Sequence, residues 1–380
     1  PQVLRRGTAK LPDLRAIGGA LDELYGARIE SAVRKEGESL CIGFLSDCID
    51  EAYAPGADGL TAKVIRLLAD LLYDPYLQDG VFCPDYTAGE REGLIDRIAA
   101  QKNDPRSWAP KRLTELMCEN EPYGQSALGT IEQARKITEN KLYAAYRRAL
   151  DEAQIELFYC GTLPPDAVEA LFAATPLVQR RDGPLYQPQT GIAAQPAGAP
   201  REVIEEEQVT QGKLSLGFRT GGHCLTGGDP AAYWMFQTLY GGSTSSKLFL
   251  NVRERKSLCY YASAQFISPK GMMMVNSGIE NKDFETARDE ILRQLDACRA
   301  GDITDAEIDA ARKTLTTNWR AMLDDPLTLE RYWLGQAAAG TLVTPEERIA
   351  QVAAVTRGDI VAAAQATALD TVYFMKGAAQ

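Results

Sequence analysis

The sequence has one histidine, no long apolar run and no excess of positive charge. His223 is the only imidazole among 380 residues, and no carboxylate cluster surrounds it in the sequence, which favours an exposed loop histidine over a metal ligand. No stretch approaches the roughly 18 uninterrupted apolar residues of a membrane helix, and no charged-then-apolar signal segment opens the chain. These absences predict a soluble protein.

Cysteine spacing and charge argue against a disulfide-rich protein and against a nucleic-acid-binding protein. The eight cysteines lie far apart, without a C-x-x-C pair, which predicts reduced thiols and a cytoplasmic location. The net charge is −11, and the acidic run Glu205–Glu207, interpreted as a solvated strand edge, has no basic counterpart able to hold a phosphate backbone. We therefore expect no nucleic-acid partner.

The same series of signals occurs twice in the chain, about 217 residues apart. Thr87-x-x-Glu90 and Thr304-x-x-Glu307 both match a capping box, in which threonine and glutamate each satisfy a free amide of the first helical turn. Each predicted helix then ends at an Asp-Pro step, Asp104-Pro105 or Asp325-Pro326, because the residue before proline avoids helical angles. This order predicts an internal duplication.

Further signals repeat downstream of the prolines. Thr138 and Thr356 are candidate N-caps of another helix. Each half then ends in an apolar segment closed by glycine, Ile155–Gly161 and Thr371–Gly377, which predicts a strand.

The elements upstream of each repeated series predict the fold class. Helical and alternating patterns indicate an α+β protein of two homologous domains, each a mainly antiparallel sheet with helices on one face. We predict an N-terminal repeat over residues 1–181, a Pro/Gly/Ala-rich linker over 182–200 and a C-terminal repeat over 201–380. The first repeat lacks a counterpart of residues 202 to about 240.

Three segments resemble a known family: Val3–Thr8, Glu23–Ala27 and Lys247–Tyr261. They are similar to the insulinase, or pitrilysin, zinc metallopeptidases, in the bacterial branch that resembles mitochondrial processing peptidase. Within that branch the chain most resembles the member without a zinc motif that is labelled as associated with elongation-factor-P 5-aminopentanol modification. The resemblance spans the chain and implies one half of a peptidase clamshell.

The family's metal ligands have no counterparts in this sequence. The resemblance implies an inverted motif, His-x-x-Glu-His, in which two imidazoles hold zinc and the glutamate activates water. Counting back from Thr8 places its glutamate at Pro1 and its second histidine at Gln2, and the third ligand falls at Arg97. A cation does not ligate zinc. The resemblance therefore implies that the N-terminal repeat lacks its first strands and zinc-motif helix, and that any zinc belongs to a partner subunit.

The pair Arg253 and Tyr260 matches the family's second-half signature of arginine followed seven residues later by tyrosine. Without the resemblance, Arg253 suits a helix C-terminus and Tyr260 suits the start of a strand. With it, both side chains are expected to donate hydrogen bonds near the scissile carbonyl of a substrate. Arg255 and Lys256 are weaker candidates. Gly241-Gly242-Ser243 resembles the position of a substrate-handling loop in processing-peptidase relatives but lacks their long glycine tract, so a plain helix C-cap is the preferred interpretation.

These expectations converge on a non-catalytic subunit of a heterodimeric zinc peptidase. Its partners would be an active, zinc-motif-bearing subunit of the same family and a peptide or unfolded polypeptide, with a homodimer possible for the isolated chain. An inactive peptide-binding or scaffolding homologue is the alternative. A self-sufficient peptidase remains open as well, because the chain begins at Pro1 rather than methionine and a preceding segment could hold the first motif histidine. A thiolate site at Cys224 with His223 is a further, weaker reading.

Overall fold

The structure is a computed structural model that describes residues 1–54, 56, 58–178 and 189–377. The predicted linker lies outside the described residues from 182 to 188. The described chain divides into two compact units. The first holds residues 1–35, 40–99 and the described part of 127–187, and the second holds residues 36–39, 100–126 and the described part of 188–380. None of the described helices is long and apolar enough to cross a membrane.

The first unit is mainly helical and contains two short sheets. Its elements are α1 (Leu14–Glu23), β1 (Arg28–Glu36), β2 (Ser39–Asp47), α2 (Leu60–Tyr73), β3 (Leu77–Gln78), β4 (Val81–Phe82), α3 (Pro84–Ala100), α5 (Ile131–Ala134), α6 (Glu139–Glu152) and α7 (Pro165–Ala173). The helix α4 (Pro105–Met117) belongs to the second unit. The strands form the pairs β1 with β2 and β3 with β4. Buried Ile17, Ile29, Leu67 and Leu71 pack α1 against the β1–β2 hairpin and α2.

The second unit is built on a five-stranded sheet. Its strands are β5 (Arg201–Glu207), β6 (Gly212–Arg219), β7 (Tyr261–Ile267), β8 (Met272–Ile279) and β9 (Ala368–Gly377). They lie in the order β5-β9-β6-β8-β7, in which the β5–β9 pair is parallel and the other three pairs are antiparallel. The helices are α8 (Pro230–Gln237), α9 (Phe284–Arg299), α10 (Asp305–Met322), α11 (Pro326–Ala339), α12 (Pro345–Ala354) and α13 (Arg357–Ala366).

Helices cover both faces of this sheet. On one face Leu214, Leu216 and Phe218 of β6 belong to the large core that also holds residues of α8, α9, α10, α12 and α13. On the other face α4 packs Ala109 and Leu113 against side chains of β8 and β9. A Cβ on Gly217 would lie 2.6 Å from Met117 Sδ, so any larger residue where this helix crosses β6 would force the Met117 side chain to move. The α+β class is confirmed, with the difference that a helix from the first half covers the second face.

Several helix starts confirm the sequence predictions. Thr304 and Glu307 form a complete capping box at α10. Asp104 and Asp325 follow the preceding helices and also cap the next ones. Each side chain accepts a hydrogen bond from a backbone N–H in the first turn of the helix that follows. Thr138 caps α6 in the same way. Thr356 forms a capping box with Asp359 at α13.

The capping box predicted at Thr87 and Glu90 is wrong. Helix α3 begins three residues earlier at Pro84, so Thr87 lies inside the helix, where its hydroxyl is buried without a described partner. Glu90 accepts a hydrogen bond from Arg6 Nε at 2.7 Å and forms an ion pair with it. Proline suits the first turn of a helix because its missing amide has no partner there. The helix therefore starts at the proline rather than at the threonine.

The strand predicted over Ile155–Gly161 does not form, although its counterpart β9 does. β9 is hydrogen-bonded on both sides, to β5 and to β6. In the described part of the first unit, no strand pairs with residues 155–161. An apolar segment becomes a strand only where neighbouring backbone groups satisfy it. Local composition therefore predicted the propensity of this segment to form a strand, but not whether a neighbouring strand would pair with it.

Candidate functional site

Arg253 lies on the helix Leu248–Arg255, which has π-helical hydrogen bonding and is firmly anchored. Leu248 and Val252 are fully buried in the large core beneath it. Lys247, just before the helix, is largely buried and forms an ion pair with Glu307 of α10 at 2.9 Å. π-Helical turns are rare and occur frequently at functional sites. The segment that carries Arg253 is thus fixed at its N-terminal end.

The C-terminal end of this helix is fixed by polar contacts to α9. Lys256 Nζ lies 2.6 Å from Glu290, whose side chain is 3% exposed. Burial opposes ionisation of Glu290, but hydrogen bonds from Arg293, Lys256 and Gln294 outweigh it and lower the pKa of this carboxyl to about 2. Lys256 is therefore engaged within the chain.

Arg255, the other weak candidate, also has an internal partner. Its Nη1 donates to Asn251 Oδ1 at 2.9 Å, and Asn251 in turn donates to Gln294 at 2.7 Å. Both weaker candidates therefore make hydrogen bonds that support the helix, whereas the polar contact of Arg253, to Glu254, is longer at 3.7 Å.

Gly241 serves close packing rather than a left-handed helix cap. It is the penultimate residue of the π-helical turn Thr238–Gly242 and has no positive φ. A Cβ at this position would lie 2.7 Å from the Ala264 nitrogen and 2.7 Å from Leu248 Cδ1. The helix C-cap predicted at Gly241-Gly242-Ser243 is confirmed at Ser243, and Gly241 has a packing role in addition. The glycine lets strand β7 and the Arg253 helix approach each other.

Tyr260 is brought to the start of β7 by a tight turn. Ser257 adopts a left-handed conformation with φ 51°, and its N–H donates to the Arg253 carbonyl at 3.1 Å. The Tyr260 N–H then donates to the Gly278 carbonyl at 2.9 Å, which joins this residue to β8. The helix-to-strand turn predicted between Arg253 and Tyr260 is present.

The side chains of Arg253 and Tyr260 both face solvent. The Arg253 side chain is 40% exposed, its guanidinium lies 4.7 Å from the centre of the Phe249 ring, and its Nε lies 3.7 Å from Glu254. Tyr260 is 68% exposed. No hydrogen bond or cation–π contact joins the two side chains in the described chain, and neither residue lines the cavities described below. The site residues therefore share one segment but do not form a closed pocket by themselves.

The positions expected to hold zinc do not fit a metal. Arg97 lies exposed near the end of α3, and Pro1 and Gln2 offer no imidazole or carboxylate. Among the described residues, no group of three histidine, cysteine, aspartate or glutamate side chains is arranged to hold an ion. Zinc requires three or four such ligands. The described residues of this chain therefore do not form a zinc site.

His223 lies in a loop, as predicted, but it is partly buried rather than exposed and has a structural role. Its Nδ1 accepts a hydrogen bond from the Asp229 N–H at 2.9 Å, just before α8, and its ring lies 5.5 Å from that of Tyr233. Cys224 is buried, and its Sγ lies 3.5 Å from the Thr226 hydroxyl. The structure gives no contact between the imidazole and this thiol. The weaker thiolate reading thus gains no support.

A buried ionic network in the second unit was missed by the sequence reasoning. Lys270 is completely buried and pairs with Glu38 at 2.5 Å and Glu121 at 2.6 Å. Glu121 also pairs with Arg219 at 2.6 Å, and Arg219 pairs with Asp370 at 2.8 Å. The signs alternate along these five residues. No sequence signal predicts this network, because Lys270 lies in a Pro-Lys-Gly turn that is typical of the surface.

A cavity of about 270 Å³ lies beside this network. It is lined by Glu121, Arg219, Asp370 and the backbone segment Gln195–Ala199, among others. Arg219 Nη1 is buried and has no described hydrogen-bond partner. A second, more open cavity shares Glu121 and is lined by Glu115 and Glu119.

Comparisons with known proteins identify the family. The profile described as "Peptidase M16 inactive domain" matches residues 136–315. "Probable inactive metalloprotease YmfF" from Bacillus subtilis is 35% identical over 377 residues, which cover 99% of this chain and 88% of that protein. The chain belongs to the M16 peptidase family. It is an inactive M16-family peptidase homologue.

Solved structures show the same fold over the full length. A conserved protein from Enterococcus faecalis superposes with a TM-score of 0.86 at 26% identity, covering 100% of this chain and 88% of that one. The "peptidase M16 inactive domain" from Pseudomonas fluorescens superposes with a TM-score of 0.75 at 19% identity, covering 100% and 89%. The second likeness is one of fold alone.

Proposed function

We propose that this chain is the non-catalytic subunit of a heterodimeric M16 zinc peptidase. In this proposal the partner subunit holds the zinc and activates water. This chain supplies Arg253 and Tyr260 to a peptide or unfolded polypeptide bound at the partner's metal site. No activity is expected from this chain alone.

The observation that carries the proposal is that an immobilised segment presents two exposed hydrogen-bond donors. Ion pairs of Lys247 and Lys256 and the burial of Leu248 and Val252 fix the backbone. The side chains of Arg253 and Tyr260 nevertheless remain largely outside the core. Donors held on a rigid support are suited to stabilise charge that develops in a transition state.

The chemistry of the two side chains suits an oxyanion. A guanidinium carries its charge at every relevant pH and presents several N–H donors, and a phenol presents one O–H donor. On peptide hydrolysis the scissile carbonyl oxygen becomes negatively charged, so donors near it lower the barrier. We expect the partner's first domain to hold the peptide as an added strand, with main-chain hydrogen bonds.

Reconstitution with the zinc-motif-bearing M16 protein of the same organism tests the proposal. We expect the two chains to co-purify, and unfolded polypeptide to be cleaved by the pair but not by this chain supplied with zinc. The metal content of the pair is expected to correspond to one zinc per heterodimer. Cleavage by this chain alone would contradict the proposal, and so would full activity of the partner without it.

A second candidate is an inactive peptide-binding or scaffolding homologue. It is favoured by the lack of ligating side chains, since Arg97 stands where the family places its third zinc ligand. It predicts peptide binding without cleavage in any reconstituted mixture.

The association with elongation-factor-P modification stays a prediction of the resemblance, and purification of the elongation factor from a strain lacking this chain tests it.

A further inference from the structure

We propose that Lys270 is a reversible latch that holds a strap, defined as Thr190–Ala194, against the hairpin turn Glu36–Ser39 within the second unit. The strap belongs to the described part of the segment 182–200, whose composition predicted a linker. Its anchoring is unrelated to the Arg253–Tyr260 site. The inference therefore stands independently of the proposed peptidase role.

All three donors of the Lys270 ammonium group are used. Nζ donates to Glu38 Oε1 at 2.5 Å and to the Gly191 carbonyl, and it lies 2.6 Å from Glu121 Oε2. An ammonium group has three N–H donors, so the three acceptors satisfy it completely. These acceptors come from the hairpin turn, the strap and the loop after α4. One side chain thus joins three segments that are distant in the sequence.

Backbone contacts complete the attachment of the strap. The Glu38 N–H donates to Thr190 Oγ1 at 3.0 Å, and the Gly191 N–H donates to Glu38 Oε2 at 3.3 Å. Gly37 has φ 58°, and a Cβ there would lie 2.1 Å from Thr190 Oγ1. At the other end, the Gly221 N–H donates to the Ala194 carbonyl at 3.0 Å. Glu38 therefore contacts the strap and the lysine at the same time.

The burial of these residues suggests an opening movement. Lys270 has no exposed surface, whereas Gly191 is exposed and Ile192 is only half-buried. The strap is thus a thin cover over a charged group. When the strap lifts, the ammonium group gains water in place of its protein acceptors, and its long aliphatic stem can stay on the sheet. An opening of this kind leaves the five-stranded sheet intact.

Opening would also change the neighbouring cavity. The chain that continues from the strap, Gln195–Ala199, forms a wall of the 270 Å³ cavity beside Arg219 and Asp370. Release of the strap would admit water to Arg219 Nη1, which has no described partner in the closed state. The latch therefore controls solvent access to the buried ionic network.

Hydrogen exchange measured by mass spectrometry on the whole chain tests the latch. In Lys270→Met the amides of the strap and of the hairpin turn should exchange roughly 100-fold faster, because a buried charge pair is broken. Amides of β6 and β8 should keep their exchange rates. Lys282→Met, which removes an exposed ion pair with Glu280, is the matched control and should change neither region.

A milder variant covers the case in which Lys270→Met does not fold. Glu38→Gln keeps the ion pair of Lys270 with Glu121, so we expect a selective acceleration of roughly tenfold in the same two segments. Unchanged exchange in the strap of both variants would overturn the proposal. So would a uniform acceleration that includes β6 and β8, since that result would make Lys270 a general stabiliser of the sheet.

Discussion

Lys247 Nζ lies 2.9 Å from Glu307 Oε1, so the helix that carries Arg253 is tied to the N-terminus of α10. Glu307 also accepts a hydrogen bond from the Thr304 N–H in the capping box of α10. We expect Glu307→Ala to lower the free energy of unfolding by about 2–4 kcal/mol, through loss of the cap and of the partner of a buried lysine. Urea unfolding followed by circular dichroism measures this change.

Glu347 is the matched control for this prediction. It completes the capping box of α12 with Thr344, and no ion pair of Glu347 is present in the described chain. Glu347→Ala should therefore cost only the capping contribution of about 1 kcal/mol. Equal losses in the two variants would show that the Lys247 ion pair contributes nothing.

Glu290 gives a prediction with a defined pH range. Its pKa is about 2 in the folded chain, whereas an unperturbed glutamate has a pKa of about 4.3. A carboxyl with a lowered pKa stabilises the fold above its unfolded pKa and loses this contribution as the pH falls through the folded value. The stability difference between the parent and Glu290→Gln should therefore be full at pH 7 and shrink from about pH 4 towards pH 2.

Unfolding curves at several pH values measure this difference. Glu285→Gln, on the exposed side of the same helix, provides the comparison. A difference for Glu290→Gln that stays constant from pH 7 to pH 3 would show that its pairing with Lys256 and Arg293 does not depend on ionisation.

Gly241 tests the close approach of β7 to the Arg253 helix. Because a Cβ there would meet Ala264 and Leu248 at 2.7 Å, we expect Gly241→Ala to lower the free energy of unfolding by about 1–3 kcal/mol. Gly19→Ala in α1 is the control, since a Cβ at this position meets nothing within 4 Å. That variant should raise stability by about 0.5–1 kcal/mol through helix propensity. Thermal unfolding measures both variants. A loss of stability in Gly241→Ala alone indicates steric crowding at that position, whereas a loss in both variants would indicate a general effect of replacing glycine.

Local signals predicted the elements whose determinants lie within a few residues. Thr304 with Glu307 and the Asp-Pro steps specify helix starts by contacts inside one turn, and the structure contains them. The prediction that Thr87 caps helix α3 is wrong because the helix already begins at Pro84, three residues earlier. The sequence alone did not rank these two signals.

Long-range pairing could not be read from the same signals. Ile155–Gly161 has the composition of a strand, but no described strand pairs with it. Helix α4 comes from the predicted N-terminal repeat, yet it covers the sheet formed by strands of the C-terminal repeat. The Lys270 network joins residues up to 232 positions apart. Spacing predicted Arg253 and Tyr260 on one helix-to-strand turn, but the exposure of their side chains follows from how α9 and α10 hold that turn.

Tyr260→Phe separates the phenol's hydrogen bond from its ring. In the reconstituted pair we expect kcat to fall by about 10-fold or more, because one oxyanion donor is lost while the ring remains. Tyr53→Phe, at another exposed tyrosine, should have no effect. Steady-state kinetics on one peptide measure both variants. A change in KM alone would assign Tyr260 to substrate binding rather than to the transition state.

The most direct test is the turnover of the reconstituted heterodimer carrying Arg253→Ala, compared with Arg255→Ala. The two arginines share a helix, but Arg255 donates a hydrogen bond to Asn251 at 2.9 Å, whereas the ion pair of Arg253 with Glu254 is longer, at 3.7 Å. We predict that kcat falls by about 10- to 1000-fold for Arg253→Ala. For Arg255→Ala we predict a kcat within about twofold of the parent. Equal turnover of the two variants, or full activity of the Arg253→Ala pair, would contradict the account.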